Sequence, residues 1–190
     1  MSLFELYLRL GFKHIIDING YDNIVFILAL CAAYSYTQFR KILILITAFT
    51  IGHSVALALS TLKLVIIRAE IIEFLIPVTI LITAILNLFI SKKGKAQFIY
   101  LLTLFFGLIH GLGFSNYLNE LLGNESSIVT PLLAFNIGLE IGQIVIVSIQ
   151  FIILFLSMIF LKMNHKNWKI FISGAASGIA AILIIENIFW

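Results

Sequence analysis

The chain is 190 residues long, 62% apolar and only 11% charged, with 17 phenylalanines and a formal net charge of +3. A soluble domain is about 45–50% apolar and about 25% charged, so this chain lacks the polar groups needed to coat a water-facing surface. These proportions exclude a soluble enzyme, a nucleic-acid-binding domain and a disordered tail, and they place the chain in a bilayer.

A spanning helix needs about 20 apolar residues to cross about 30 Å of hydrocarbon. Long uninterrupted apolar runs also exclude a membrane β-barrel, whose strands alternate. The expected fold is therefore all-α. It is one polytopic transmembrane domain over residues 1–190, a bundle of about six helices with an N-terminal interfacial helix and both termini outside. In chain order, residues 1–20 are the interfacial segment, with an amphipathic helix over 3–18. That stretch carries Glu5 and Asp17 and no small-residue cleavage site, so it does not read as a removable signal peptide. Spans are expected at 22–39, 42–62, 69–90, 96–114, 130–161 and 168–189. Pro77 is expected to kink the third span, and the fifth run is long enough to tilt or to project beyond the membrane. Residues 115–129 are expected to form the longest loop, holding a short helical turn.

Lys and Arg fall at the ends of the apolar runs. Arg40, Lys41, Lys92, Lys93, Lys95, Lys162, Lys166 and Lys169 lie on one side, against Arg9, Lys13, Lys63 and Arg68 on the other. Positive loops stay in the cytoplasm, which orients the bundle. Counting at 1.5 Å per residue, His53 then lies about 18 Å past Lys41, near the bilayer centre. His110 lies about 22 Å past Lys95, and Glu140 about 14 Å past Pro131. Asp22, Glu70, Glu73 and Glu186 fall at or near the outer ends of their spans. The inner half offers neutral groups such as Thr47, Asn87 and Gln150.

Ionisable groups at bilayer depth cost a few kcal/mol each, so they face the bundle interior and mark candidate sites. Four segments combine them with glycine. They are Gly11-Phe-Lys-His14 running on to Gly20-Tyr-Asp22-Asn23, Phe49-Thr-Ile-Gly-His53-Ser54, Phe106-Gly-Leu-Ile-His110-Gly-Leu-Gly-Phe114, and Phe135-Asn136-Ile-Gly-Leu-Glu140-Ile-Gly-Gln143. In the last, Asn136, Glu140 and Gln143 form one polar stripe. Gly138 and Gly142, Gly107 and Gly111, and Gly174 and Gly178 are GxxxG pairs that let a neighbouring helix approach closely. His53, His110 and Glu140 are expected to converge in one cavity between spans two, four and five. Imidazole nitrogen suits nickel, cobalt, zinc and copper, and carboxylates suit harder ions. The set His14, Asp22, His53, His110 and Glu140 therefore points to a divalent transition-metal ion (Ni, Co or Zn). Asn23, Glu70, Glu73, Asn136 and Gln143 would orient the ligands or line the entrance. Ligand histidines must be neutral, so affinity is expected to fall as pH drops through about 6.5. Cys31 is the one cysteine, which leaves no disulfide and no thiolate cluster.

The four motifs, G-x-x-H-I-x-x-x-x-G-x-D, T-x-G-H-S, H-G-L-G-F and F-N-x-G-x-E-x-G-Q, occur in order over nearly the whole chain. In this the sequence resembles the HupE/UreJ-type membrane proteins, a hydrogenase and urease accessory family. The resemblance implies a nickel or cobalt permease of the bacterial inner membrane, not an enzyme, with a homo-oligomer or a metalloenzyme-maturation partner. One position departs from the family pattern: Asp-His near span one reads Asp22-Asn23, which removes an imidazole. Two other classes stay open. One is an intramembrane hydrolase using His53 and Ser54, or a metal with Glu140 as base, although the chain has no H-E-x-x-H and no G-x-S-x-G. The other is an accessory subunit whose polar residues only fix helix packing. No nucleotide-binding loop is present, so transport driven by ATP on this chain is not expected, and composition gives no nucleic acid as a partner.

Overall fold

A computed structural model describes residues 2–89, 96–122 and 127–190. Lys92, Lys93 and Lys95 of the charge count, and the Asn124–Ser126 stretch of the outer loop, lie outside the described residues. Among the described residues the fold is all-helical: α1 (Leu3–Ile15), α2 (Asp22–Cys31), a 3-10 turn (Tyr36–Gln38), α3 (Phe39–Thr61), α4 (Ala69–Phe89), α5 (Ala96–Leu122), α6 (Val129–Phe160) and α7 (His165–Glu186). The five helices α3 to α7 are each long and apolar enough to cross a membrane, with mean hydropathy from 1.8 to 2.5. Their unburied faces carry large apolar side chains such as Ile152, Phe155 and Phe171, as lipid contact requires.

The start of the chain differs from the expected interfacial helix and full first span. α1 begins at a capped turn, where the Ser2 hydroxyl accepts from the Glu5 amide at 3.2 Å. It lies lengthwise on α6, running in the same direction. Gly138 faces the backbone of Leu8 and Phe12, and Gly142 meets Ile15. The Asp17 carboxylate accepts from the Asn19 amide at 2.9 Å, an Asx turn that ends the helical path ahead of Gly20. α2 then continues along α6 as far as Gln150, whose side-chain amide donates to the Leu28 carbonyl at 3.0 Å. Ten residues give α2 about 15 Å, half of a bilayer core. The expected run to residue 39 stops early because Ser35 and Gln38 form a capping box on the 3-10 turn that precedes α3. α1 and α2 are thus two half-helices in succession, interrupted at residues 16–21.

The remaining expected spans match closely, with two shifts. α5 runs on to Leu122, so the expected loop after residue 114 begins as helix. Ser115, Leu118 and Leu122 are buried there, and packing against α1 keeps the turns formed. α7 starts at His165, because the Asn164 side chain caps it by accepting from the Asn167 amide at 2.8 Å. α4 remains one helix through Pro77. The core centres on Phe26, Phe49 and Phe135, all at most 1% exposed.

Candidate functional site

Glycine decides where the histidines stand. At Gly11, Gly52, Gly107 and Gly138 an added Cβ would collide with a backbone carbonyl of the neighbouring helix. Gly11 abuts Phe135 and Gly138 abuts Leu8, joining α1 to α6. Gly52 abuts Leu104 and Gly107 abuts Phe49, joining α3 to α5. Helices meet this closely only where both backbones lack side chains at the crossing. Both crossings sit beside the chemistry: His14 follows Gly11 by three residues, His53 follows Gly52 by one, and His110 follows Gly107 by three.

His53 is completely buried, and neither of its ring nitrogens has a hydrogen-bond partner. It is walled by aromatic rings, stacked on Phe135 at 5.9 Å and tilted against Phe49 at 6.1 Å. The His14 ring lies 5.7 Å from it, itself 4.0 Å from Phe114, and His14 Nε2 is also buried and unpartnered. A buried polar atom without a partner costs about 1–3 kcal/mol, so this pair is expensive as it stands. Above it opens a cavity of about 710 Å³ lined by Lys13, His14, Asp17, Phe114 and Tyr117. The break after α1 therefore leads from the surface to His14.

His110 is 3% exposed and fully engaged. Its Nδ1 lies 3.0 Å from Asn23 Oδ1 and its Nε2 2.9 Å from Thr79 Oγ1. An amide oxygen only accepts, so Nδ1 carries the proton of a neutral ring and Nε2 is left to accept. The Thr79 hydroxyl also lies 2.7 Å from the Ile76 carbonyl, and its single hydrogen serves one of the two at a time. Asn23 holds His110 by its oxygen.

Glu140 stands elsewhere. It accepts from the Thr47 hydroxyl at 2.6 Å and lines a groove between α3 and α6. Gln143, one turn on, accepts from Thr50 at 3.0 Å and leaves its amide nitrogen unpartnered. Asn136 donates to the Leu132 carbonyl, and its Oδ1 is unpartnered. Asp22, in the first turn of α2, accepts from the Asn23 amide at 2.8 Å and shares a second cavity of about 160 Å³ with Glu73 and Pro77. Glu70 is exposed and paired with Arg68 at 3.4 Å. The structure brings His14 to His53 and Asn23 to His110. It does not gather His53, His110 and Glu140 into the single cavity expected. Glu140 meets α3 six residues below His53, about 9 Å along the helix, and both nitrogens of His110 are in use. Among the described residues no three His, Cys, Asp or Glu side chains group closely enough to hold an ion between them.

The reading from sequence named Asn23, Thr47 and Asn87 but passed over Thr79 and Thr83. Thr79, Thr83 and Asn87 recur at i, i+4 and i+8 on α4, all at most 6% exposed, and Asn87 donates to the Ala29 carbonyl at 2.6 Å. A polar stripe of that period inside an apolar span was the available signal. Phe49, Phe114 and Phe135 stand inside the motif segments, but among seventeen phenylalanines nothing in the sequence marks them as the walls of the His53 site.

A family model described as HupE / UreJ protein matches residues 1–188. No curated protein and no solved structure matches the chain.

Proposed function

Given that the chain belongs to the HupE/UreJ family, we propose that it takes up a divalent transition-metal ion, nickel or cobalt, from the outer side of the bacterial inner membrane. His53 carries this reading. A fully buried imidazole with two unpartnered nitrogens is an unfavourable core residue but a ready ligand for a soft-to-borderline cation. His14 adds a second imidazole from the facing half-helix, with Nε2 unpartnered. A metal at these rings supplies the partner that the fold withholds, and water from the cavity above completes its coordination. Asp17 and Asp22, with Glu70 and Glu73 beyond, raise the local cation concentration at the outer end. The interruption between α1 and α2 fits the reading too, because transporters place broken helices at their substrate sites.

In this arrangement His110 and Glu140 are held by Asn23, Thr79 and Thr47 instead of waiting as open ligands. They enter the path only if α2 or α6 moves. The test is nickel and cobalt uptake into proteoliposomes, with bound metal measured on the purified protein by elemental analysis. Wild type should hold metal and accumulate it, and His53→Ala should do neither at equal expression. Binding without uptake would leave a metal-binding accessory protein, and absence of bound metal in the wild type would overturn the reading.

A further inference from the structure

The groove between α3 and α6 belongs to no part of the route through His14 and His53. It encloses about 590 Å³, within the size range of small-molecule sites, about 300–1,000 Å³. Its walls are apolar: Ile51, Val55, Leu133 and Ile137 line it and are themselves exposed on the outer faces of the two helices. Its floor is polar, made of Glu140 on Thr47 and of Asn136 with its unpartnered Oδ1. Glu140 is eleven residues into α6, about 17 Å, and Thr47 eight residues into α3, about 12 Å. Both therefore lie in the middle of the bilayer.

A carboxylate at that depth calls for a cation. The protein brings none: no Lys or Arg occurs between Lys41 and Lys63 or between Lys95 and Lys162. The two cations of α1 are placed elsewhere, Arg9 paired with Glu5 at 2.7 Å and Lys13 lining the cavity beside His14. A second copy could present none from within α3 to α7, where no Lys or Arg lies more than five residues in. A bare metal ion would find one carboxylate beside the neutral oxygens of Thr47, Thr50, Ser54 and Asn136 and would leave most of the groove unfilled. An organic cation with an apolar body fills the walls and offsets the charge at once. We infer that this groove is a binding site for lipophilic cations, reached sideways from the membrane, with Glu140 as counter-ion.

The probe is tetraphenylphosphonium, added to the full-length protein in detergent and followed by equilibrium dialysis, with uncharged triphenylphosphine oxide as comparison. Wild type should bind one cation per chain, saturably, and the uncharged compound should not displace it. Glu140→Gln should weaken binding at least tenfold, and Ile137→Trp, which fills the groove from a lipid-facing position, should block it even if the first variant fails to fold. His53→Ala, which ends metal binding under the reading above, should leave the cation's binding unchanged, so the two ideas fail separately. Non-saturable binding, equal binding by the folded Glu140→Gln protein or by Ile137→Trp, or displacement by the uncharged compound would overturn the site. Displacement by nickel or sodium at millimolar concentration would overturn it as well, giving Glu140 to an inorganic ion.

Discussion

Replacing Gly107 by alanine tests whether the glycine crossings position the histidines. A Cβ on Gly107 would overlap the Phe49 carbonyl oxygen and lie 3.1 Å from the His53 backbone nitrogen. Both neighbours are main chain inside a helix, so no side chain can turn aside. Restoring a carbon–oxygen separation of about 3.3 Å parts α3 from α5 by about 1 Å. Overpacking of this kind costs about 1–3 kcal/mol. Alanine also gains about 0.5–1 kcal/mol over glycine through helix propensity, which masks part of the loss. Gly174→Ala isolates that gain, since a Cβ there meets nothing within 4 Å. The difference between the two variants is therefore the packing term alone. At about 2–4 °C per kcal/mol for a chain of this size, Gly107→Ala should melt about 2–12 °C below Gly174→Ala. Fluorescence-detected size-exclusion after heating in detergent measures this. Coincident melting, or a Gly107→Ala protein that melts higher, would refute the argument that close backbone contact sets the α3–α5 geometry.

His53→Leu should raise stability by about 1–3 kcal/mol while removing metal binding, because it deletes two unsatisfied buried nitrogens; a lower melting temperature in metal-free buffer would show that the ring is satisfied. Asn87→Ala should destabilise by about 0.5–1.5 kcal/mol, as it removes the shorter of the two hydrogen bonds to the Ala29 carbonyl, which keeps the Ala32 amide at 3.3 Å. The check is thermal unfolding at constant detergent. For orientation, a single cysteine at Ile18, 79% exposed, in a Cys31→Ala background should react with an impermeant maleimide added outside intact cells. One at Tyr36 should react only after the membrane is opened, and the reverse pattern would invert the bundle.

Much of this architecture is written in the chain itself. Apolar runs of twenty or more residues admit only helices in lipid, so α3, α4, α6 and α7 begin and end within a few residues of where hydropathy puts them. The family is legible for the same reason: its motifs are short, ordered and local. The first forty residues were legible only in part. The break near Asp17 falls where the sequence separates a helix over 3–18 from a span starting at 22, but hydropathy averages over a window, and it cannot see that a capping box at Ser35 ends the span at Cys31. α1 reads as an interfacial helix because its moment is large, yet its Gly11 face is matched to Gly138, and that complementarity exists only once α6 is beside it. The candidate site divides in the same way. Sequence picks out His14, His53, His110 and Glu140, because ionisable groups in an apolar span stand out by composition. Which of them keep free lone pairs is decided by neighbours far away in the chain. Asn23 and Thr79 close His110, Thr47 takes one oxygen of Glu140, and aromatic rings that neither donate nor accept conventional hydrogen bonds leave His53 and His14 open. Spacing along one helix sets the face on which a side chain emerges, but its hydrogen-bond partner comes from another helix, and only packing brings the two together.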